Sequence, residues 1–392
     1  MRLLIVSHTP HYLENGMPVG WAPTVREIDY LASLFEEIVH VAPLHGGKPE
    51  GALAYQADNV RFRPVRPSGG ERFVDKLSIL AHLPSYVRVL NDEWRGADVV
   101  HVRCPANISI IALLMLALRR YPRLRWVKYA GNWQPSGYSE AWSYTFQRWF
   151  LTHQFHRGLV TINGRWNNQP RHVHSFFNPC LTEDEIAEAR EMCLTKKLSA
   201  PLRLIFVGRL ERAKGTDRAL KILARIKEAG IDASLDLVGD GAERTEFERL
   251  AVTLGISRFA SFHGWLPRTA LAPLYSQAHI LILPTDSEGY PKVLSEAMAY
   301  GVVPIASKVS CIPQYLEELG VGKTYAPKDV QGFAEAIEWY VAHPSAWQQE
   351  SRRGTYAAES FSYARYLNGL CEILEMKPGL LRRDVCSSAS SF

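Results

Sequence analysis

The sequence is poor in the patterns that mark several classes of protein. Its six cysteines include no Cys-x-x-Cys pair, so neither a disulfide framework nor a zinc site is predicted, and a reduced, cytoplasmic setting is expected. The longest apolar run, Ile108 to Leu118, is too short to span a membrane. Met1 leads directly into a strand-like apolar run, which does not resemble a signal peptide. No Asp-x-Asp pair occurs, so no bound metal is predicted.

Charge is low overall but unevenly distributed. The formal net charge is +5 over 392 residues, which gives no reason to expect nucleic acid as a partner. The segment from Arg103 to Arg171 is different, because Glu140 is its one acidic residue. Its basic residues are Arg103, Arg119, Arg120, Arg123, Arg125, Lys128, Arg148, Arg157, Arg165 and Arg171. No pattern in the sequence indicates an oligomeric state.

Short apolar runs rich in β-branched residues alternate with helical stretches along the chain. Such alternation predicts an α/β fold with parallel sheets that carry helices on both faces. The predicted strands are 3–7, 38–42, 98–102, 126–129 and 159–162 in the first half, and 204–207, 235–238, 260–263, 280–283 and 303–306 in the second.

The sequence "FFNP" at 176–179 and the polar stretch after it interrupt this series, which predicts a domain boundary near residue 180. We therefore predict two doubly wound, Rossmann-like domains, 1–180 and 181–360, that face each other across a cleft. Residues 361–376 are predicted as a helix returning toward the first domain, and 377–392 as a disordered tail. In doubly wound folds ligands bind beyond the carboxyl ends of the strands, so functional motifs are expected there.

The stretch "PTDSEGYPKVLSEAMAYG", residues 284–301, places Glu288 before a predicted helix and Glu296 inside it. Pro291 suits the first helical position, so amides at the helix start lack carbonyl partners and attract anions. These amides belong to Tyr290, Lys292 and Val293. A nucleotide sugar would satisfy the amides with phosphate and the two carboxylates with hydroxyls. Taken alone, the stretch also fits a glutamate that complements the helix dipole and a second that is solvated.

A second motif, "GRLERAKG", follows the predicted strand 204–207. Its cations, Arg209 and Lys214, could neutralise a diphosphate as it leaves a sugar. A nicotinamide-dinucleotide fingerprint does not match, because the glycine spacing is wrong here and Arg244 replaces the third glycine in "VGDGAER". Two solvated loop side chains are the simpler alternative.

Together with "LVGDGAER", "FHGWLP" and "LYSQAHILILPTDSEGYPKVLSEAMAYGVVPIAS", these residues resemble the retaining glycosyltransferases of family 4, or group 1, which have the GT-B fold. The resemblance spans about residues 204–320. It implies that Arg209 and Lys214 hold the donor diphosphate. It also implies that Glu288 contacts the transferred sugar and that Glu296 binds the ribose hydroxyls. Further donor contacts are implied at Gly289 and the amides that follow it, and near Trp265.

In the first half the resemblance rests on "LLIVSHTP" and "ADVVHVRCP", which look like the family's first and fourth strands. Gly16 and Gly20 stand where the family carries a glycine loop near the donor phosphates, although "GMPVGW" lacks adjacent glycines. The family's sugar-contacting histidine is missing from "WVKYAGNW". Asn132 is a candidate to replace it, and an ordinary turn asparagine is the alternative. Other acceptor-side candidates are Trp133, His8 and His153.

The aromatic stretch 137–157, "GYSEAWSYTFQRWFLTHQFHR", allows two interpretations. Within the positive segment it could form an acceptor groove or a patch for anionic lipid headgroups at the inner face of the membrane. Alternatively, its aromatic side chains pack into the core while its arginines remain in solvent.

The resemblance implies an enzyme that moves a sugar from a nucleotide-diphosphate sugar to an acceptor hydroxyl with retention of anomeric configuration. Neither a cofactor nor a metal is expected, and a UDP-sugar is favoured over a GDP-sugar. The implied setting is the biosynthesis of a glycan, a glycolipid or a natural-product glycoside. Two alternatives stay open: a sugar-nucleotide epimerase or phosphorylase on the same fold, and a non-catalytic subunit that binds nucleotide sugars.

Overall fold

The computed structural model describes residues 1–47, 51–68, 73–135 and 140–376, with the backbone alone at 73–80. The predicted tail, 377–392, lies outside the described residues, as does 137–139 of the aromatic stretch. The described chain divides into two compact units. The first unit comprises Met1–Phe176 and the segment from Tyr366 onward, and the second unit is Phe177–Arg365.

Strands and helices alternate in both units. The strands are β1 (Arg2–Val6), β2 (His11–Glu14), β3 (Met17–Trp21), β4 (Glu37–Pro43), β5 (Ala52–Ala54), β6 (Val60–Val65), β7 (Val99–Cys104), β8 (Leu124–Tyr129), β9 (Leu159–Ile162), β10 (Val173–Ser175), β11 (Leu202–Val207), β12 (Ala233–Val238), β13 (Ala260–Gly264), β14 (Ile280–Leu283), β15 (Val303–Ser307) and β16 (Lys323–Tyr325). The helices are α1 (Ala22–Leu31), α2 (Phe73–Trp94), α3 (Asn107–Leu118), α4 (Trp142–Thr152), α5 (Glu183–Met192), α6 (Thr216–Glu228), α7 (Arg244–Thr253), α8 (Arg268–Gln277), α9 (Lys292–Ala299), α10 (Ile312–Leu319), α11 (Val330–Ala342), α12 (Pro344–Ala357) and α13 (Tyr363–Ile373). Every predicted strand is present, with ends shifted by at most two residues.

The first unit is built on a parallel sheet in the order β10-β9-β8-β7-β1-β4-β6. Residues 3–6 of the central strand β1 are all buried, as expected for a strand covered on both faces. Side chains of α2, α3 and α4 form the core on one face. Side chains of α1 and of α13 from Tyr366 onward form the core on the other.

A small antiparallel sheet, β2-β3-β5, was not predicted. Gly20 lies on β3 and Gly16 lies in the turn between β2 and β3, so the segment in which the resemblance implied a glycine loop is a β-hairpin. Asn15 and Gly16 form its turn with positive φ angles of 52° and 81°, which suits a tight hairpin. At Gly20 a Cβ atom would lie 2.5 Å from the His11 ring, so the ring itself requires glycine there.

A buried chain of hydrogen bonds ties this small sheet to β1 and β4. Nδ1 of His11 donates to the carbonyl of Thr9 (2.9 Å), and burial lowers the pKa of His11 to about 4, so its Nε2 accepts from the Tyr55 hydroxyl (2.7 Å). The Tyr55 oxygen in turn accepts from Nδ1 of His40 (2.6 Å), whose Nε2 accepts from the Ser7 hydroxyl (2.7 Å). With both histidines neutral, every polar side chain in this series of hydrogen bonds has a partner.

The second unit contains a parallel sheet in the order β13-β12-β11-β14-β15-β16. From β11 the chain winds outward through β12 to β13, and from β14 it winds in the opposite direction through β15 to β16. The topological switch point therefore lies between β11 and β14. The prediction of two Rossmann-like α/β units is confirmed.

Three polar side chains of the first unit converge on one buried carboxylate, Glu27 of α1, whose side chain is 1% exposed. Its Oε1 accepts from Arg103 (2.9 Å), Lys128 (2.7 Å) and the hydroxyl of Tyr366 (2.8 Å). The cluster joins α1 and α13 to the carboxyl ends of β7 and β8. It compensates two cations that the sheet could not otherwise hold in its interior.

We predict that Glu27→Gln destabilises the protein by about 3–5 kcal/mol, because it leaves two buried cations without a compensating charge. Urea unfolding measures the loss. The control is Glu36→Gln, which removes the carboxylate paired with the terminal amine of Met1 at 84% exposure and should cost less than about 1 kcal/mol. Equal losses from the two substitutions would contradict a stabilising role for the buried cluster.

Candidate functional site

The candidate site lies at the switch point of the second unit. One loop follows β11 and runs from Gly208 to Gly215, and the other follows β14 and runs from Pro284 to Pro291. Because β11 and β14 are neighbouring parallel strands, both loops emerge at the same edge of the sheet. A crevice at this position is where open α/β sheets bind their ligands.

The two loops are in direct contact. Gly215 has a φ angle of 84°, and a Cβ atom there would lie 2.1 Å from the carbonyl oxygen of Pro284. Both the conformation and the close approach therefore require glycine. The amide of Asp286 donates to the carbonyl of Ala213 at 2.9 Å, which adds a backbone link between the loops.

Arg218, in the first turn of α6, braces both loops and was not predicted. Its Nε donates to the carbonyl of Pro284 (2.8 Å), and its Nη2 donates to the carbonyl of Arg212 (3.1 Å). The same guanidinium forms an ion pair with Asp286 at 3.1 Å. No local pattern in the sequence marks Arg218, because its neighbours Thr216 and Asp217 are polar residues that are also buried.

The contacts of Arg218 with both loops bring Lys214 of the first loop close to Glu288 of the second. Lys214 Nζ lies 2.6 Å from Glu288 Oε1, with side-chain exposures of 30% and 14%. Thr285 Oγ1 lies 3.3 Å from the same carboxylate oxygen. The pair is thus accessible from solvent, and the ammonium and carboxylate charges compensate each other.

The start of α9 lies directly after Glu288. Pro291 caps the helix and Lys292 is its first residue, one position later than predicted. The amide of Leu294 bonds to the carbonyl of Pro291 at 3.1 Å. The amides in the first turn of a helix point toward its start, so the positive end of the α9 dipole favours an anion there.

Gly289 and Tyr290, the residues between Glu288 and Pro291, connect this loop to neighbouring elements of the second unit. Gly289 offers its carbonyl to the hydroxyl of Ser310 (2.9 Å) and the thiol of Cys311 (3.2 Å). Tyr290 is buried, with its ring stacked on Phe361 at a centroid distance of 5.1 Å. The side chain of Tyr290 therefore serves packing, which leaves its backbone as the part that could contact a ligand.

Glu288 and Glu296 have different partners in this structure. Glu296 Oε2 accepts from the hydroxyl of Tyr275 on α8 at 3.4 Å. Burial, together with Glu296, raises the pKa of Tyr275 well above its usual range, so this hydroxyl stays protonated. Glu296 is therefore held by α8, whereas Glu288 is held by the loop after β11.

Two other predicted donor residues lie at the same edge of the sheet but outside this ion pair. The side chain of Arg209 is 72% exposed and pairs with Glu211. Trp265 follows β13 and is 44% exposed. A ligand that reached both would extend along the edge from β11 to β13.

In the first unit the acceptor-side candidates follow the carboxyl ends of strands. His8 follows β1 and is exposed. Asn132 follows β8, where its Oδ1 accepts from the amide of Gln134 at 3.2 Å, as in an ordinary asparagine turn. Trp133 is 7% exposed and packs edge-on against Tyr129, so its ring has little surface to offer a ligand.

Within residues 1–47, 51–68, 73–135 and 140–376, no three histidine, cysteine, aspartate or glutamate side chains are placed to hold a metal ion. Over the same ranges, no helix has the length and apolar character needed to cross a membrane.

Residues 195–360 match the family of glycosyl transferases group 1. Glycogen synthase of Mycobacterium tuberculosis is 28% identical over 200 residues, which are 50% of this chain and 48% of the relative. The chain thus spans about half the length of the first curated relatives that it matches. A GDP-mannose-dependent alpha-mannosyltransferase of Mycolicibacterium smegmatis is 27% identical over 390 residues, 95% of this chain and 96% of the relative.

Among solved structures, HepE of Anabaena in complex with UDP and glucose superposes with a TM-score of 0.70. Its sequence is 15% identical, and the match covers 96% of this chain and 99% of that one. Such a likeness concerns the fold alone. The comparisons therefore show that the chain has the GT-B fold and that its second unit carries the sequence pattern of group 1 glycosyl transferases.

Proposed function

We propose that the protein is a glycosyltransferase that transfers a sugar from a nucleotide-diphosphate sugar to an acceptor hydroxyl. One observation carries this proposal: the solvent-accessible pair of Lys214 and Glu288 stands at the switch point, directly before the first-turn amides of α9. A cation and oriented amides suit a diphosphate, and a carboxylate suits sugar hydroxyls. The match to group 1 glycosyl transferases covers all of these residues.

Donor binding would then replace the ion pair between Lys214 and Glu288 with contacts from each residue to the donor. The diphosphate takes Lys214 and the α9 amides, which releases Glu288 to accept hydrogen bonds from the sugar. Arg209, exposed on the adjoining loop and paired with Glu211, would exchange that carboxylate for the diphosphate. Glu296, beside Tyr275, would accept from the ribose hydroxyls, and Trp265 would adjoin the base.

The proposed reaction retains the anomeric configuration of the sugar and uses no metal. The bond between the anomeric carbon and the diphosphate oxygen breaks as the acceptor oxygen bonds to the same face. The acceptor proton passes to the departing diphosphate oxygen. Lys214 and the α9 amides stabilise the charge that develops there, and each such contact contributes about 3 kcal/mol, or roughly a hundredfold in rate.

We propose uracil as the base of the donor, which makes the donor a UDP-sugar. The solved HepE complex contains UDP, whereas the mannosyltransferase relative is named for GDP-mannose. The acceptor side is assigned to the first unit, with His8, Asn132 and Trp133 as its candidates and Gly16 and Gly20 on the donor side. The acceptor belongs to glycan, glycolipid or natural-product glycoside biosynthesis.

We predict that one of UDP, GDP or ADP raises the melting temperature of the wild type without added metal. At about a hundred times its dissociation constant, a ligand adds about 2.7 kcal/mol, which corresponds to a few degrees. Lys214→Ala should abolish the shift, because it removes the cation facing the diphosphate. Differential scanning fluorimetry measures both proteins.

The matched control for that measurement is Lys221→Ala, which removes a lysine paired with Asp217 on α6 and should keep the full shift. If no nucleotide stabilises the wild type, the donor site is wrong. If Lys214→Ala is stabilised as much as the wild type, a nucleotide binds but Lys214 has no part in holding it.

Turnover distinguishes the proposed enzyme from its alternatives. We predict that the nucleotide sugar whose nucleotide binds is consumed when a panel of acceptor hydroxyl compounds is supplied, with nucleotide diphosphate released. Proton NMR should show a product with the donor's anomeric configuration. Glu288→Gln should lower the rate by roughly a hundredfold, because the amide cannot stabilise a cation-like sugar as a carboxylate does.

An inverted product would contradict the retaining mechanism. Conversion of the donor into another nucleotide sugar without an acceptor would indicate an epimerase. Glycoside formation only in the presence of a second protein, despite nucleotide binding, would support the partner-subunit alternative.

A further inference from the structure

The amino-terminal edge of the first unit's sheet carries a cavity of about 340 Å³. It opens between the end of α2 and the loop that joins α3 to β8. Its lining residues are Trp94, Arg95, Ala97, Arg119, Arg120, Tyr121 and Pro122. Within this unit, the acceptor-side candidates His8 and Asn132 follow the opposite, carboxyl ends of the strands. The cavity therefore has no part in the site proposed above.

Three arginines line this cavity, Arg95, Arg119 and Arg120, and a fourth, Arg123, directly follows the lining residue Pro122. We call them, with Leu118 and Tyr121, the arginine surface. Arg95, Arg120 and Arg123 are exposed, and none of the four has a carboxylate partner among the residues that the structure describes. Arg119 donates to the side-chain oxygen of Asn91, which is uncharged.

The neighbouring carboxylates neutralise these charges only in part. Glu93 is held by Arg2 and Arg61, each at 2.6 Å. Asp98 accepts from the backbone amide of Arg2 at 2.8 Å. Asp92 and Asp98 are both exposed and offset two of the four positive charges, so a net positive surface remains.

The backbone of the arginine surface is fixed in place. Trp94 Nε1 donates to the carbonyl of Tyr121 at 2.9 Å. The buried guanidinium of Arg125 donates to the carbonyls of Pro122 and Arg119, each at 2.7 Å. Burial lowers the pKa of Arg119, and repulsion from the positive charge of Arg95 lowers it further. An anionic partner would relieve that repulsion.

Two large apolar side chains lie next to these arginines in the sequence: Leu118 at the end of α3 and Tyr121 in the loop that follows. Leu118 is 85% exposed and Tyr121 is 66% exposed. A small dissolved anion would leave both side chains in water. A bilayer with anionic headgroups satisfies the whole surface, because its phosphates meet the guanidinium groups while the apolar side chains enter the interface.

The aromatic stretch of α4 does not offer the same combination. Trp142 and Trp149 are exposed at 76% and 49%. Arg148 is taken up by an ion pair with Glu140 at 2.5 Å and a hydrogen bond to the Tyr129 hydroxyl at 2.9 Å. The one arginine within α4 is thus paired, whereas Arg120 and Arg123 on the arginine surface are exposed. The other exposed arginines of the positive segment lie outside both α4 and the arginine surface: Arg157, Arg165 and Arg171.

We propose that the arginine surface docks the protein onto an anionic lipid bilayer. Guanidinium groups bind lipid phosphates, and Leu118 and Tyr121 enter the headgroup region. Docking through this surface is independent of the proposed transfer reaction, because it involves none of the residues assigned to that reaction.

Vesicle co-sedimentation tests the proposal on the full chain. Vesicles of phosphatidylcholine containing about one third phosphatidylglycerol should bind the wild type, and pure phosphatidylcholine vesicles should not. Arg120→Glu with Arg123→Glu should weaken binding by well over tenfold, since each arginine near an anionic surface contributes roughly fivefold. Leu118→Ser with Tyr121→Ser should weaken vesicle binding by roughly tenfold. Added salt should then remove a larger fraction of the binding of this variant than of the wild type, because its remaining binding is electrostatic.

The charge-matched control is Arg225→Glu with Arg352→Glu, two exposed arginines of the second unit, which should bind like the wild type. Failure of the wild type to bind anionic vesicles would overturn the proposal, as would equal losses in the control. Saturable binding of inorganic phosphate without vesicle binding would also overturn it and indicate a soluble-anion site. Nucleotide-induced thermal shifts of the same variants should match the wild type, so this proposal and the proposed function can fail separately.

Discussion

The contact between the loops after β11 and β14 is the constraint on which the candidate site depends. Gly215 allows the backbones to touch because a side chain there would collide with the carbonyl of Pro284. Arg218 then fixes the contact through two carbonyl oxygens and Asp286. Without this approach, Lys214 and Glu288 would lie on separate flexible segments, and neither would have a defined position relative to the start of α9.

The same constraint explains why Lys214 and Glu288 form an ion pair at this site. A lysine and a glutamate held 2.6 Å apart at the edge of a sheet compensate each other at little cost, because both remain partly solvated. A diphosphate offers Lys214 a doubly charged partner, and sugar hydroxyls offer Glu288 replacements for the lost hydrogen bond. The buried cluster around Glu27 differs in this respect, because its 1% exposure leaves no route for exchange.

Much of this architecture could be predicted from sequence because it follows from local patterns. Apolar runs such as Ile280 to Leu283 indicate buried parallel strands, and the proline and glycine of the 284–301 stretch indicate a helix start and end. The hairpin around Gly16 was missed because its short strands have little apolar periodicity, although the pair Asn15-Gly16 is a local signal for a tight hairpin turn. The ion pair between Lys214 and Glu288 depends on the order of strands in the sheet, which no local pattern contains. The partner of Glu296 was unpredictable for the same reason, since Tyr275 comes from a different helix.

A crystal structure with bound UDP, or with whichever nucleotide stabilises the protein, tests the central claim most directly. The measured quantities are the distances from the diphosphate oxygens to Lys214 Nζ and to the amides of Lys292 and Val293. We predict hydrogen-bond distances to all three and a broken contact between Lys214 and Glu288. A nucleotide bound elsewhere, with the contact between Lys214 and Glu288 intact, would contradict the account.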